Sequence, residues 1–385
     1  MQHRKLLSNL AVVLLLGSTP CYSFDQDKYN IPEHTDWMSN LRDDVPVRLV
    51  SIPGAHDAAS GSSNVAGTSC QNMNIKDLFD AGVRFFDLRT GFTNGVELRM
   101  YHGFVDLART FEGVMDDLYK KMEDYPEEFL IVEITIENDT KRKGDAADHL
   151  RSYFRHSYDE EGVKCVHEYW DTEDEYDKAK SKWMYLTPNV TVKEARGHIL
   201  LMFNNIYDEL ERMAGPYIPS REDGPGALCK MEGYYEGKRK FTTTFHSQNN
   251  YHDELFDLHV DEKFYKYAKP ECELFTEYIN QNPDSVTWCM NFLSAYIDLI
   301  PNQYDVAGPV NGLFAQFVNQ HPELYLGIVL MDYAAVPIYK NMTSTAVNGD
   351  VALEAVINNN RRFWDERKLV EKGRNRREPY EMHSN

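Results

Sequence analysis

Eight short apolar runs, at residues 48–52, 83–88, 97–101, 129–136, 198–203, 240–245, 286–292 and 326–331, constrain the fold more than any other feature. Most are rich in β-branched or aromatic side chains, the pattern of strands buried on both faces. Several intervals carry helical signals instead, in Asn74-Ile75-Lys76-Asp77-Leu78-Phe79 before the second run and in residues 111–122 before the fourth. Strand and helix therefore alternate, and eight such units in about 330 residues predict an α/β fold, a (β/α)8 TIM-type barrel. The competing open, doubly wound sheet lacks its mark, because no Gly-x-Gly-x-x-Gly follows the first run.

No repeat or low-complexity linker divides the chain, so it reads as one domain with surface insertions at 139–182 and 207–239. Its 42% hydrophobic residues are material for a large core and exclude a disordered or fibrous protein. Lys and Arg number 41 against 61 Asp and Glu, a net charge of −20. That balance excludes a nucleic-acid partner and disfavours general adhesion to anionic membranes, while leaving room for a local phosphate site.

Residues 1–23 read as a signal peptide: His3, Arg4 and Lys5 form a basic start, 10–16 an apolar run, and Cys21-Tyr22-Ser23 a small-x-small cleavage pattern. The apolar run is far short of the roughly 20 residues of a membrane span. The expectation is a secreted, periplasmic or extracellular protein. Its mature barrel then occupies 24–385, with a core from about Trp37 to Phe363. Five cysteines remain after cleavage, Cys70, Cys165, Cys229, Cys272 and Cys289; they match no zinc spacing, and their odd number leaves at least one thiol unpaired.

A barrel places functional residues just after its strands. After the first run stands Pro53-Gly54-Ala55-His56-Asp57, after the second Phe86-Asp87-Leu88-Arg89, after the third Tyr101-His102-Gly103, and the eighth ends in Met331-Asp332-Tyr333. Two histidines, an arginine and several carboxylates are thereby predicted to converge on one barrel mouth from four strand ends. For one histidine a structural role would be the simpler account; four agreeing ends argue for a site.

These motifs, with Pro126-Glu127-Glu128-Phe129-Leu130, Ala195-Arg196-Gly197-His198-Ile199-Leu200-Leu201 and Asn291-Phe292-Leu293-Ser294-Ala295 in order behind them, resemble the bacterial phosphatidylinositol-specific phospholipase C family. The resemblance implies attack of an inositol 2-hydroxyl on phosphorus, releasing diacylglycerol and inositol 1,2-cyclic phosphate. It makes His56 the general base and His102 the general acid, tasks suited to imidazole near neutrality. Arg89 would hold the phosphate oxygens and Asp332 orient His56. Asp57 and Asp87 would support His102 and Arg89, in an order left open; Asp87 also reads as a plain salt-bridge partner of Arg84 or Arg89.

The resemblance further implies no cofactor and no metal. Related metal-dependent phosphodiesterases carry a second acid where this chain has Arg89. Gln248-Asn249-Asn250-Tyr251 stands where family members carry Gln-Asp-x-Tyr, which makes Asn249 and Tyr251 the substrate-binding candidates. The implied partner is phosphatidylinositol or a related inositol phospholipid, glycosylated anchors included, met at a membrane surface by a monomer. Two other classes fit a barrel of this kind: a metal-assisted phosphodiesterase and a catalytically silent head-group-binding module.

Overall fold

Pro46 and the 3-10 turn Val47–Leu49 keep the chain from extending early, so the first apolar run becomes a strand only at its end: β1 is Ile52–Ala55. The computed structural model describes residues 34–368, apart from 64–66, 93–95, 139–149, 151–153, 160–161, 168–182, 205–214, 219–223, 236–237, 251, 254–260, 298–302, 337–338, 341–345 and 348. The expected signal peptide and Tyr251 lie outside the described residues. β1 belongs to a twelve-stranded sheet with β2 (Phe85–Gly91), β3 (Arg99–His102), β4 (Val105–Thr110), β5 (Leu130–Asn138), β6 (Trp183–Tyr185) and β7 (Ile199–Asn204). β8 (Gly215–Ile218), β9 (Leu228–Tyr235), β10 (Lys238–Gln248), β11 (Trp288–Phe292) and β12 (Ile328–Met331) complete it.

β1 pairs in parallel with β2 on one side and with β12 on the other, and this joins the two ends of the sheet. The wall runs β1-β2-β5-β7-β8-β9-β10-β11-β12 and back to β1. It is a TIM-type α/β barrel with one irregularity: β9 lies antiparallel to both β8 and β10.

Two segments depart from the pattern expected of the sequence. The third apolar run is not a wall strand; β3 pairs antiparallel with the end of β2 and folds with β4 into a hairpin. Its burial alternates, with Leu98 and Met100 inside and Glu97 and Arg99 half-exposed, which is the habit of a strand wetted on one face. Residues 207–239, read as a surface insertion, instead supply β8 and β9 to the wall. β8 is only Gly215-Pro216-Tyr217-Ile218, and Lys230 and Glu232 interrupt the apolar pattern by which β9 would be recognised.

The helices cover the wall. α1 (Ile75–Ala81) starts where the Asn74 side chain accepts the N–H groups of Lys76 and Asp77 and stops at Gly82, φ +118°. Ile75, Leu78 and Phe79, at helical spacing, are buried. α2 (Phe111–Asp124) is capped by Thr110 and buries Phe111, Val114, Met115, Leu118 and Met122. α3 (Val192–Ala195), α4 (Lys269–Gln281), α5 (Gln303–Gln320) and α6 (Gly349–Asn359) follow. No described helix is long and apolar enough to cross a membrane.

Candidate active site

An extended strand sends neighbouring side chains to opposite faces, so consecutive residues can share a site only where the chain leaves that geometry. It does so at Asp57, whose φ of +42° is left-handed. The bend is held from both sides: the Asp57 N–H donates to Asp87 Oδ2 (3.1 Å), and Ser60 Oγ donates to the Asp57 carbonyl (2.7 Å). Asp tolerates this conformation better than most residues. His56 and Asp57 can then both join the cluster beyond β1.

His56 is fixed at both ring nitrogens. Nδ1 stands 2.7 Å from Asp332 Oδ1, at the end of β12, and Nε2 stands 2.6 Å from Arg89 Nη2. A guanidinium only donates, so Nε2 is the acceptor and Nδ1 carries the proton given to Asp332. The imidazole is thus the tautomer whose lone pair points toward Arg89.

Arg89, near the end of β2, donates through Nε (3.1 Å) and Nη2 (3.0 Å) to Asp87 Oδ2 and through Nη1 (2.7 Å) to Glu137 Oε1. Burial works against its charge, yet Asp87, Glu137 and Asp57 hold its pKa well above the ordinary value. Burial likewise opposes ionisation of Asp87, but Arg89 and His56 keep it below the usual carboxylate range.

His102 arrives on the β3–β4 hairpin and not on a wall strand, with Nε2 3.7 Å from Asp57 Oδ2. Burial, then the nearby Arg89 charge, push its pKa down to about 4, against the pull of Glu137. Burial pushes Asp57 well up, against Arg89. Asp57 is fully buried, and neither carboxylate oxygen has a hydrogen-bond partner among the described residues.

The structure therefore brings together His56, Asp57, Asp87, Arg89, His102 and Asp332, and it answers the pairing left open by the sequence. Asp57 faces His102 and Asp87 faces Arg89, while Arg84 pairs with fully buried Glu128 instead (2.9 Å). Asn249, just past β10, is half-buried. Its neighbour Gln248 is buried and structural, donating to Asn291 Oδ1 and the Phe292 carbonyl (2.9 Å each).

Three neighbours were missed. Glu137 pairs with Arg89 and accepts the Gly103 N–H beside His102. It lies two residues past Thr135, which is in register with Arg89, so a period-two reading of β5 would have found it. Gln71 is buried and donates to the His56 (2.9 Å) and Met331 (2.8 Å) carbonyls, locking β1 to β12. Cys70, beside it, lies at the cluster without any sequence signal to announce it. Among the described residues Cys70, Cys272 and Cys289 are free thiols.

Residues 50–201 match the model of the X domain of phosphatidylinositol-specific phospholipase C. The chain is 24% identical over 357 residues to a 1-phosphatidylinositol phosphodiesterase of Staphylococcus aureus strain NCTC 8325, covering 89% of this chain and 97% of that protein. It is 24% identical over 323 residues to that of Listeria monocytogenes, covering 80% and 83%. The solved phosphatidylinositol-specific phospholipase C of L. monocytogenes superposes with a TM-score of 0.54 at 21% identity, over 86% of this chain and all of that one. One from S. aureus gives 0.59 at 18%, over 84% and 97%. At these identities the superpositions establish the barrel fold.

Proposed function

Because this chain belongs to the bacterial phosphatidylinositol-specific phospholipase C family, we propose that its six-residue cluster cleaves an inositol phospholipid at the glycerol–phosphate bond. The enzyme is a phosphoric diester lyase of that family, and its products are diacylglycerol and inositol 1,2-cyclic phosphate. The observation that supports this reading best is the His56 arrangement. A base needs a lone pair and a group behind it to take up the charge; Nε2 supplies the first once Arg89 turns to the phosphate, and Asp332, 2.7 Å from Nδ1, the second.

In the reaction His56 Nε2 takes the proton of the inositol 2-hydroxyl, whose oxygen bonds to phosphorus. The phosphorus–glycerol oxygen bond breaks, and His102 gives a proton to the departing oxygen. Arg89 moves from Nε2 to the phosphate oxygens and neutralises the charge that builds there, the task a metal ion performs in related phosphodiesterases. The bound phosphate also draws the Arg89 field off His102, which restores the protonated form that burial disfavours in the free enzyme. Catalysis by this route needs no metal.

Asn249 and Tyr251 are the proposed head-group contacts, and Phe104, two residues past His102 and 84% exposed, offers an apolar contact to the lipid surface. We place the enzyme outside the cytoplasm, exported through residues 1–23 and acting as a monomer on phosphatidylinositol or glycosylated forms of it.

The test takes protein recovered from the medium, its N-terminus expected at Phe24, and offers it vesicles of phosphatidylinositol, phosphatidylcholine or phosphatidylserine with and without EDTA. Cyclic inositol phosphate from the first alone, undiminished by EDTA, is the expected result. His56→Ala and His102→Ala should each cost about 10² to 10⁴ in rate. Activity abolished by the chelator would transfer the reaction to the metal-assisted class.

A further inference from the structure

We propose that Asp57, Cys70 and His102 form a binding site for a thiophilic divalent cation of the Zn²⁺ class, and that its occupancy blocks the lyase reaction. The reaction leaves Cys70 unused. Yet its sulfur, an Asp57 oxygen and a His102 ring nitrogen all lie within 4.8 Å of one another. Thiolate, imidazole and carboxylate are the donors that Zn²⁺ takes, at about 2.0 to 2.3 Å. Tetrahedral ligands at such bond lengths stand about 3.4 to 3.7 Å apart. His102 Nε2 and Asp57 Oδ2 stand 3.7 Å apart, so that edge of the tetrahedron is already in place.

A second observation is independent of the thiol. The Asp57 carboxylate is fully buried, and neither of its oxygens has a hydrogen-bond partner among the described residues. A buried carboxylate left in that state is costly, and a cation at Oδ2 removes the cost. The surrounding charge agrees. Asp57, Asp87 and Glu137 act on one guanidinium while Asp332 is paired with His56, and Arg89 spends its hydrogen bonds on Asp87, Glu137 and His56.

The overlapping triplet of His56, Cys70 and Asp332 also lies within 4.8 Å, but both His56 nitrogens are engaged, one of them with the cationic Arg89. Cys70 itself is held in place: its N–H donates to Ser60 Oγ (3.0 Å), and its carbonyl accepts from Tyr333 (2.7 Å). His102, 24% exposed at its side chain, is the edge from which an ion reaches the site.

On binding, bonds form from Sγ, Nε2 and Oδ2 to the ion, the thiol proton passes to solvent, and no redox change occurs. His102 then lacks the lone pair on which it would carry a proton to the leaving group. The blocking effect rests on the proposed role of His102; the binding does not.

The experiment titrates the mature enzyme with Cd²⁺ and follows the ultraviolet thiolate-to-metal charge-transfer band, then measures Zn²⁺ inhibition of phosphatidylinositol cleavage. One equivalent of band that disappears in Cys70→Ser is expected, with the half-inhibiting Zn²⁺ concentration rising on the order of 10²-fold in that variant. Asp57→Asn should weaken Cd²⁺ binding as well, so the result does not hang on one variant. Cys272→Ser, at a buried thiol outside the cluster, should keep the band. A band unchanged in Cys70→Ser, or equal Zn²⁺ inhibition of both proteins, would overturn the proposal. Since the band is read without turnover, an inactive chain that still shows it would sink the reaction and leave the site standing.

Discussion

A carboxylate shut away from water makes stability depend on pH, and Glu271 on α4 is such a group. It accepts the Gly226 N–H (2.5 Å) and lies 3.7 Å from the Cys289 sulfur; burial pushes its pKa up to about 7. The folded state therefore binds more protons than the unfolded one above the ordinary glutamate range. Stability is full below about pH 4.5 and is lost as pH rises through about 7, by at most about 3 kcal/mol. Urea unfolding at about pH 5 and about pH 8.5 should show this loss in the wild type and little of it in Glu271→Gln; equal pH dependence would refute it. At this scale the sequence was legible where residues are rigid in type. His56, Asp57, Asp87, Arg89, His102 and Asp332 stood out because each closes an apolar run. Gln71 and Cys70 did not, because they sit in a loop whose path only the packed barrel defines.

At the level of elements, the backbone at the foot of β12 makes a comparable demand. Gly327 has φ +62°, and a Cβ there would stand 2.6 Å from both the Cβ and the carbonyl oxygen of Cys289 on β11. Neither a left-handed non-glycine residue nor a backbone overlap relaxes cheaply, so Gly327→Ala should cost about 2 to 4 kcal/mol. Gly224→Ala, where a Cβ meets nothing within 4 Å, should be close to neutral. The two denaturation midpoints compared at constant slope decide the point. Seven of the eight apolar runs end in or contain wall strands because doubly buried strands are apolar throughout. The run at 97–101 went to the hairpin instead: a short apolar stretch does not reveal whether one face or two will be covered. β8 hid because Gly215-Pro216-Tyr217-Ile218 is too short and too rich in Gly and Pro to read as a strand, and β9 because Lys230 and Glu232 break its apolar run.

Over the whole molecule the chain carries a net charge of −20, whereas the mouth holds Arg89 against its carboxylates. A protein of that net charge meeting an anionic bilayer is repelled over a range of about 30 Å at 0.01 M salt and about 8 Å at 0.15 M. Cleavage of phosphatidylinositol in anionic vesicles should accordingly rise across that interval, while a soluble inositol phosphodiester substrate should respond less; a fall on vesicles would contradict this account. The alternation of strand and helix, the barrel class and the residue types at the mouth were already written in the order of residues, because burial dictates apolar runs and chemistry dictates the residues that end them. Folding in three dimensions was needed to close β1 on both β2 and β12, to bring Asp57 to His102 and Asp87 to Arg89, and to set Cys70 among them. Those are distances between segments up to hundreds of residues apart, set by how the wall closes and carried by no local pattern.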